Sequence, residues 1–455
     1  MEGERDYSRR SFLRDMTVAS FGAIIVPRHV IGGPGFTAPS DKLNIATIGA
    51  AGMGRGNTER CSEENIVALC DVDEERAAKV YAVYPNAKTY RDFRVMLDKQ
   101  KDIDAVIVAT PDHTHAVAAM AAMQLGKHVY VQKPLARTVF ETRMLQKAAR
   151  TYGVIAGMGN QHHSNDGLRL LTEWIADGAI GDVSEVHSWT DRPVWPQGTG
   201  RPAETPIVPD AFDWDLWLGP SAVRPYHPAY HPFKWRGWVD FGTGALGDMG
   251  CHILDAPFTA LNLKYPVSIE ARRSYDVQKN WERFANSETY PRASVVHYHF
   301  PAREGMPAVK LHWYDGGMMP ERPEDLEPGR RLPDGGTIFV GSKGKILIGG
   351  SNSDPRIFPE TKMQAYKRPS ATLPRIEGGS GGHEKNWILC CKEGTQPSSS
   401  FDLACPLSEG VVLGNLAVLC PGEKLEWDGE NMRVTNYVEA NKYIQQSSRE
   451  GWTLS

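Results

Sequence analysis

The sequence predicts an α/β protein in two parts, a parallel, doubly wound first half and a second α/β half built on an open, largely antiparallel sheet. Three observations carry this. Between residues 42 and 160, short β-branched runs alternate with helix-length stretches, the pattern of βαβ units. Closely spaced glycines, Gly49, Gly52 and Gly54, stand where the first run passes into the first helical stretch. From about residue 160, strand-like runs follow one another with few long helices between them, as in an antiparallel sheet.

In chain order, "LNIATIG" (43–49) is the first strand and "NIVALCDVD" (65–73) the second. A helical "EERAAKVYAVY" (74–84) and a short unit "RDFRVMLDK" (91–99) follow. "DAVIVATP" (104–111) is a buried-strand signal, "HAVAAMAAMQLGK" (115–127) a helix and "HVYVQKP" (128–134) another strand. In the second half the strand runs are "VSEVHSWT" (183–190), "VSIEARRS" (267–274), "ASVVHYHF" (293–300), "AVKLHWY" (308–314) and "GTIFVGSKGKILIG" (336–349). Pro- and Gly-rich loops around 193–232 and 318–336 interrupt them, and loops of that length tend to line sites or meet partners.

A chain of 455 residues, 41% hydrophobic and 23% charged, suggests two or three domains. The formal net charge of −4, with Lys+Arg nearly balancing Asp+Glu, leaves no electrostatic footprint for nucleic acid or an anionic membrane. The seven cysteines show no CxxC or zinc-finger spacing and read as small buried hydrophobes. One pairing stays open for an exported chain, between Cys405 and Cys420, both read as loop residues.

Residues 8–14, "SRRSFLR", place Arg9 and Arg10 before Phe12 and Leu13, and the apolar run "MTVASFGAIIV" follows. At about eleven residues that run is too short for a bilayer, which takes about twenty. The stretch resembles a twin-arginine export signal. The expectation is a signal over residues 1–38, a first domain over 42–160, a second over 161–455, and a periplasmic protein exported folded by the twin-arginine machinery. Such export, as the resemblance implies, often carries a cofactor inside the folded protein.

The turn Gly49-Ala50-Ala51-Gly52-Met53-Gly54 lies between strand and helix, where a dinucleotide fold needs a tight turn and close backbone approach to a pyrophosphate. It departs from G-x-G-x-x-G at Ala51. Asp71, about twenty residues on and at the end of the second strand, is placed to accept hydrogen bonds from an adenosine ribose. A carboxylate there repels a 2′-phosphate, so NAD is favoured over NADP, and Arg76 keeps NADP as the lesser alternative.

The segment "VYVQKPL" (129–135), with Lys133 and Pro134 after "ATPDHTH" (109–115) and a helix, resembles the E-K-P segment of the Gfo/Idh/MocA family. "GNQHHS" (159–164), "WDLWLGP" (214–220) and "GTGALGDMGCHILD" (242–255) resemble that family too, so the likeness runs from Lys42 to about Val434. It implies a Rossmann domain, an α/β domain whose open sheet forms homo-oligomer contacts in a dimer or tetramer, and a tightly held nicotinamide cofactor that oxidises or reduces sugars and polyols. Carried over onto matching positions, the catalytic residues are Lys133, Asp248 and His252. The cofactor residues are Gly49, Ala51, Gly52, Met53, Gly54, Asp71, Thr110, Pro111, His113, His115, Lys133 and Gln161. Lys133, His163, Asp248 and His252 also face the substrate. Two departures are Gln132, where the family has glutamate, and Ala51 in the glycine turn.

The residues argue the same chemistry independently. Asp248 and His252 are four apart and share one helix face. Alcohol oxidation needs a base for the hydroxyl proton while hydride leaves carbon, and imidazole suits that role, with the carboxylate orienting it or binding a neighbouring hydroxyl. In "RPYHPAYHPFKWRGW" (224–238), Tyr226, Tyr230, Trp235 and Trp238 offer faces for sugar rings, and Lys234 and Arg236 offer grips for hydroxyls or a carboxylate; loop packing explains the same run equally well. His113, His115, His162 and His163 invite a metal reading, but "PDHTHA" reads as a strand-to-helix loop, so no metal is expected. His383, after the glycine stretch at 378–382, is a further histidine able to reach the site.

The leading expectation is a sugar, polyol or glycoside oxidoreductase. Second is a redox-neutral NAD-dependent glycosidase or epimerase working by transient oxidation, attractive outside the cytoplasm where no free NAD pool exists. A non-catalytic sugar-binding protein is disfavoured, because Lys133 and His252 are both present.

Overall fold

The computed structural model describes residues 41–277, 283–284, 286–303 and 305–454; the expected export signal lies outside them. The first half is a six-stranded parallel sheet of β1 (Asn44–Ile48), β2 (Asn65–Cys70), β3 (Lys88–Tyr90), β4 (Ala105–Val108), β5 (His128–Gln132) and β6 (Ala156–Gly159). The order is 3-2-1-4-5-6, the doubly wound arrangement in which a dinucleotide binds at the strand carboxyl ends where the order reverses. Its helices are α1 (Met53–Arg60), α2 (Glu74–Val83), α3 (Phe93–Lys99), α4 (Asp112–Gln124) and α5 (Val139–Tyr152). Strand β4 is buried on both faces from Ala105 to Val108, which is why it reads as an unbroken apolar run. Helix α5 is framed by a Thr138/Glu141 capping box and by left-handed Gly153.

The second half adds α6 (Asp166–Ala176), β7 (Val183–Trp189), α7 (Trp214–Leu218), α8 (Gly244–Ile253), α9 (Asp255–Ala260), β8 (Ser268–Arg273) and the ribbon strands β9 (Asp276–Val277) and β10 (Arg283–Phe284). Then come β11 (Ser294–Phe300), β12 (Val309–Tyr314), β13 (Gly336–Gly341), β14 (Gly344–Gly349), β15 (Arg356–Phe358), α10 (Glu360–Ala365), α11 (His383–Glu393), α12 (Phe401–Leu419), β16 (Lys424–Asp428) and β17 (Arg433–Val434). Nine strands form one sheet in the order 15-14-13-7-12-11-8-16-17. Every neighbouring pair is antiparallel except β7 with β12, so the sheet is mixed rather than purely antiparallel.

Helix α12 ties the halves together, packing on α5 and β6 of the first and on α8, β8 and β11 of the second. It gives no amphipathic signal because it is buried on nearly every side: Gly410 lies against Phe258, and Gly414 against the Tyr298 hydroxyl and Leu246. Of the described helices, only α12 is long and apolar enough to cross a membrane, and 78% of its apolar window is buried inside this fold. It also corrects one expectation. Cys405 lies in α12 and Cys420 caps it, so at 1.5 Å per residue they stand roughly 22 Å apart, far beyond disulfide reach. All seven cysteines are buried and free.

Candidate active site

Carboxyl ends of the parallel strands, the Asp248–His252 stretch of α8 and the 192–236 loop enclose a cavity of ≈ 500 Å³. At one side is the glycine turn. Gly49 (φ 79°) and Gly52 (φ 58°) hold left-handed backbone, and a Cβ on Gly54 would sit 1.9 Å from the Gly49 carbonyl oxygen, so Gly54 sets how closely α1 meets β1. Gly52 caps α1 with no side-chain acceptor, and no acid stands in the first turn. Apart from the Gly54 N–H, which donates to the Ala51 carbonyl at 3.1 Å, the N–H groups there are left for an anion.

Asp71 closes the turn. Its Oδ2 accepts the Ala51 N–H at 2.8 Å and its Oδ1 the Asp73 N–H at 3.0 Å, leaving one lone pair on each oxygen. Burial raises its pKa and those two donors offset the rise only in part. The missing glycine at Ala51 thus costs no hydrogen bond, since what the turn uses there is the N–H. The buried Thr110 hydroxyl, in the same cavity, has no protein partner. A bare helix start, positive-φ glycines, a carboxylate lining the cavity and an orphan hydroxyl fit a dinucleotide.

Farther along the wall, Lys133 follows β5 and Asp248 and His252 share one face of α8. Lys133 Nζ donates to the Asp248 backbone carbonyl and to Asp248 Oδ1, the latter at 3.1 Å. Arg236 Nε donates to the same Oδ1 at 3.0 Å, and Arg192 Nε lies 3.8 Å from Oδ2. Burial alone would raise the Asp248 pKa; the Lys133 and Arg236 charges and hydrogen bonds overcome this and hold it well below the usual carboxylate range. The Arg236 guanidinium rests 4.3 Å from the Trp235 ring centre. No hydrogen bond joins Asp248 to His252 among the described contacts, so the carboxylate anchors cations rather than the imidazole. His252 is 9% exposed, its Nδ1 has no partner, and its ring lies 4.5 Å from that of His162. Burial, then Lys133 and His162, push its pKa well below the ordinary value, so the ring is neutral.

Gly49, Ala51, Gly52, Met53, Asp71, Thr110, Pro111, His115, Lys133, Gln161, Trp235, Arg236, Asp248 and His252 all line this one cavity. Four expected residues do not. Gly54 acts from beneath the turn. His113 is fully buried between the Trp217 carbonyl (2.8 Å from Nε2) and the Phe241 carbonyl (3.2 Å from Nδ1). His163 turns its Nδ1 to Asp255 at 3.0 Å, and Tyr230 is buried against Trp214, Trp238 and Phe241. Each is a polar or aromatic residue drawn into packing by a local partner. His383, bonded to Ser164 and the Met158 carbonyl, is likewise internal. Sequence reading missed Arg192, Trp195, Trp217 and His231, which the long loop brings into the wall.

Residues 43–160 match the model of the GFO_IDH_MocA oxidoreductase family, NAD-binding Rossmann fold, and residues 180–287 match that family's C-terminal alpha/beta domain. The chain belongs to the Gfo/Idh/MocA family. Levoglucosan dehydrogenase of Pseudarthrobacter phenanthrenivorans is 25% identical over 225 residues, 47% of this chain and 50% of that protein. Inositol 2-dehydrogenase of Pseudomonas fluorescens is 31% identical over 151 residues, 32% of this chain and 45% of that protein. The chain therefore spans about half the length of the curated relatives it matches. The WlbA dehydrogenase of Bordetella pertussis, solved in complex with NADH and UDP-GlcNAcA, has the same fold at a TM-score of 0.58 and 18% identity, covering 85% of this chain and 98% of that one.

Where this Gfo/Idh/MocA member carries Gln132 in place of glutamate, a carboxylate stands two hydrogen bonds away. Gln132 Nε2 donates to Asn57 Oδ1, and Asn57 Nδ2 donates to the buried Glu384 at 2.7 Å. Tyr130 and Gln161 donate to Glu384 as well. Its position in the sequence, one residue after His383, held no signal of this.

Proposed function

We propose that the chain is an NAD-dependent oxidoreductase of a sugar, polyol or glycoside that keeps its cofactor bound through the reaction. The observation that carries this is the placement of Lys133, Asp248 and His252 in one cavity with the glycine turn and Asp71. The turn and the bare start of α1 would hold the pyrophosphate and Asp71 the adenosine ribose. NAD, when bound, accepts hydride from the substrate carbon. The Lys133 ammonium, fixed by Asp248, donates to the substrate oxygen and stabilises negative charge developing there. Neutral His252, whose ring lines the cavity, accepts the hydroxyl proton. Arg192 and Arg236 grip neighbouring hydroxyls or a carboxylate, and Trp195 and Trp235 provide apolar walls for the sugar ring.

A second reading, redox-neutral glycoside cleavage or epimerisation, draws support from the loop over the cofactor side. Asp213 N–H donates to the Val72 carbonyl at 2.8 Å, Glu74 N–H to the Ala211 carbonyl at 3.0 Å, and His231 Nε2 meets Asp73 Oδ2 at 2.9 Å. A cofactor held beneath such a strap turns over best when the hydride returns to the same substrate. Export by the twin-arginine route, supported by Arg9 and Arg10, would place the enzyme in the periplasm without exchangeable NAD, and the open sheet face would serve a dimer or tetramer.

The test is to purify the chain, identify the nucleotide released on denaturation by mass spectrometry, and present the native protein with sugars and aryl glycosides. Reduction of bound NAD supports oxidoreduction, and aglycone release at constant NAD supports the redox-neutral reading. A chain that neither carries nor binds a nicotinamide dinucleotide would sink both.

A further inference from the structure

The outward face of the nine-stranded sheet holds a second concentration of chemistry, away from the cavity. Register pairs His187 of β7 with His312 of β12, His312 with His297 of β11, and His297 with Glu270 of β8. One row across four adjacent strands therefore reads His, His, His, Glu. Val186, Leu311, Trp313, Val296 and Tyr298 alternate with these and are buried, so the histidines share the opposite face, with Glu185 two residues before His187.

Within the row, Glu185 Oε1 lies 3.4 Å from His187 Nε2 and 3.1 Å from His312 Nε2, and the three groups offer ligand atoms all within 4.8 Å of one another. The remaining ring nitrogens are already engaged. His187 Nδ1 is 3.1 Å from the Tyr314 hydroxyl, and His312 Nδ1 is 2.6 Å from His297 Nδ1. The two rings stack with centres 5.0 Å apart, which holds both Nε2 atoms toward the same carboxylate.

We infer that Glu185, His187 and His312 form a binding site for a divalent transition-metal cation of the zinc type on the outer face of this sheet. Ligands at about 2.0–2.2 Å in tetrahedral array stand about 3.3 Å from one another, close to the observed spacings. Two imidazoles and one carboxylate suit zinc, cobalt or nickel rather than the all-oxygen preference of magnesium or calcium. The protons also balance. Without a cation, His312 Nε2–H donates to Glu185, His187 Nε2 faces the same oxygen at 3.4 Å, and His297 Nδ1–H donates to His312 Nδ1; with one, His187 and His312 carry their protons on Nδ1 and donate them to the Tyr314 oxygen and to His297 Nδ1, whose own proton moves to Nε2. Coordination then requires three tautomer shifts, in His187, His312 and His297, and no proton loss, and the outer partners that orient the ligands are in place. Glu185 makes no ion pair with Lys or Arg among the described residues, and its side chain is 42% exposed in the single chain, so the fourth position falls to water or to a group of a second copy seated on this face. The cation would clamp β7 to β12, the one parallel join in the sheet, which is the weaker kind of pairing.

The experiment uses the full chain without an affinity tag, stripped by a chelator and titrated with Co²⁺. Visible ligand-field absorption reports geometry and Zn²⁺ serves as competitor. The site predicts one cobalt per chain with tetrahedral absorption, displaced by zinc, and a thermal midpoint raised by zinc. Glu185→Gln, which keeps the side-chain shape, and His312→Gln should weaken binding beyond the ~10–100-fold expected for an outer partner such as Tyr314→Phe. His299→Gln, on the same face but outside the triad, should leave it unchanged. Absence of saturable binding, or equal binding by the parent and Glu185→Gln, would overturn the assignment whether or not the cavity holds NAD.

Discussion

Across acidification from pH 7.5 to 5, two buried histidines and one buried aspartate, His113, His383 and Asp315, should together cost the fold about 3 kcal/mol. Burial, reinforced by the Arg137 charge, lowers His113 to about 3, and burial lowers His383 to about 4. Both are essentially inaccessible to water, at 0% and 1% exposure, so little solvent screening intervenes. A depressed folded pKa means that the unfolded chain binds the extra proton first. The stability contributed is therefore complete above about 6.5 and is lost as pH falls toward the folded value. At about 1.4 kcal/mol per pH unit, each histidine costs about 2 kcal/mol by pH 5. Asp315 works in the opposite direction. Burial pushes its carboxyl up to about 6, so the folded state gains roughly 1.4 kcal/mol over the same interval, which leaves the stated net. His252, His162 and His312, lowered chiefly by burial, add to the loss, and Asp71, Asp112, Glu141 and Glu409, raised chiefly by burial, oppose it. Urea unfolding followed by tryptophan fluorescence at several pH values measures this. His113→Gln should remove about 2 kcal/mol of the pH-dependent part, whatever it does to the baseline. Variant and parent curves running parallel would refute the reasoning.

Other substitutions probe the site itself. His252→Ala should lower turnover by ~10²–10⁴-fold with bound NAD unchanged, and parent-like turnover would remove the imidazole from the chemistry. Asp71→Ala should loosen NAD by roughly 1.5–3 kcal/mol, read as nucleotide lost on gel filtration. In Gly54→Ala the new methyl meets the Gly49 carbonyl oxygen at 1.9 Å, so melting should reveal a loss of ~1–3 kcal/mol together with weaker NAD retention. Arg9→Lys combined with Arg10→Lys should hold the protein in the cytoplasm; fractionation that finds the double variant exported would dismiss the signal.

The parallel sheet was legible because strands such as β4, buried on both faces, must be apolar throughout, and because the turn between β1 and α1 demands glycine where the backbone is left-handed. Local rules of this kind leave their mark in neighbouring residues. Helix α12 left none, since burial on nearly every side erases the 3.6-residue periodicity by which a helix is read. The nine-strand order was equally hidden, because β7 pairs with β12 and β13, more than a hundred residues away. Among site residues, motif spacing points to Lys133, Asp248 and His252, yet it suggests that Asp248 serves His252, its neighbour one turn on. The three-dimensional partner is Lys133, 115 residues earlier, with Arg192 and Arg236 from a loop that carries no periodic signal. His163 and Tyr230 show the converse: proximity to a motif says nothing about which side chain finds Asp255 or an aromatic cluster first.

The arrangement around Asp248 bears on how the site handles charge. Three cations, Lys133, Arg236 and Arg192, converge on one carboxylate. A further acid in the wall, Asp112, accepts the Thr243 hydroxyl at 2.5 Å and has its pKa raised by burial. The wall is therefore net positive where the substrate oxygen would lie, and that charge acts in two ways. In the proposed reaction it would oppose protonation of His252, keeping the imidazole ready to take a proton at neutral pH, and would stabilise an alkoxide formed as the proton leaves. A base weakened by burial and by Lys133 would then be compensated by a more acidic substrate hydroxyl, because Lys133 acts on both. Asp248 limits the effect by holding Lys133 and Arg236 in fixed positions, so neutralising it in Asp248→Asn should disturb substrate binding and turnover together.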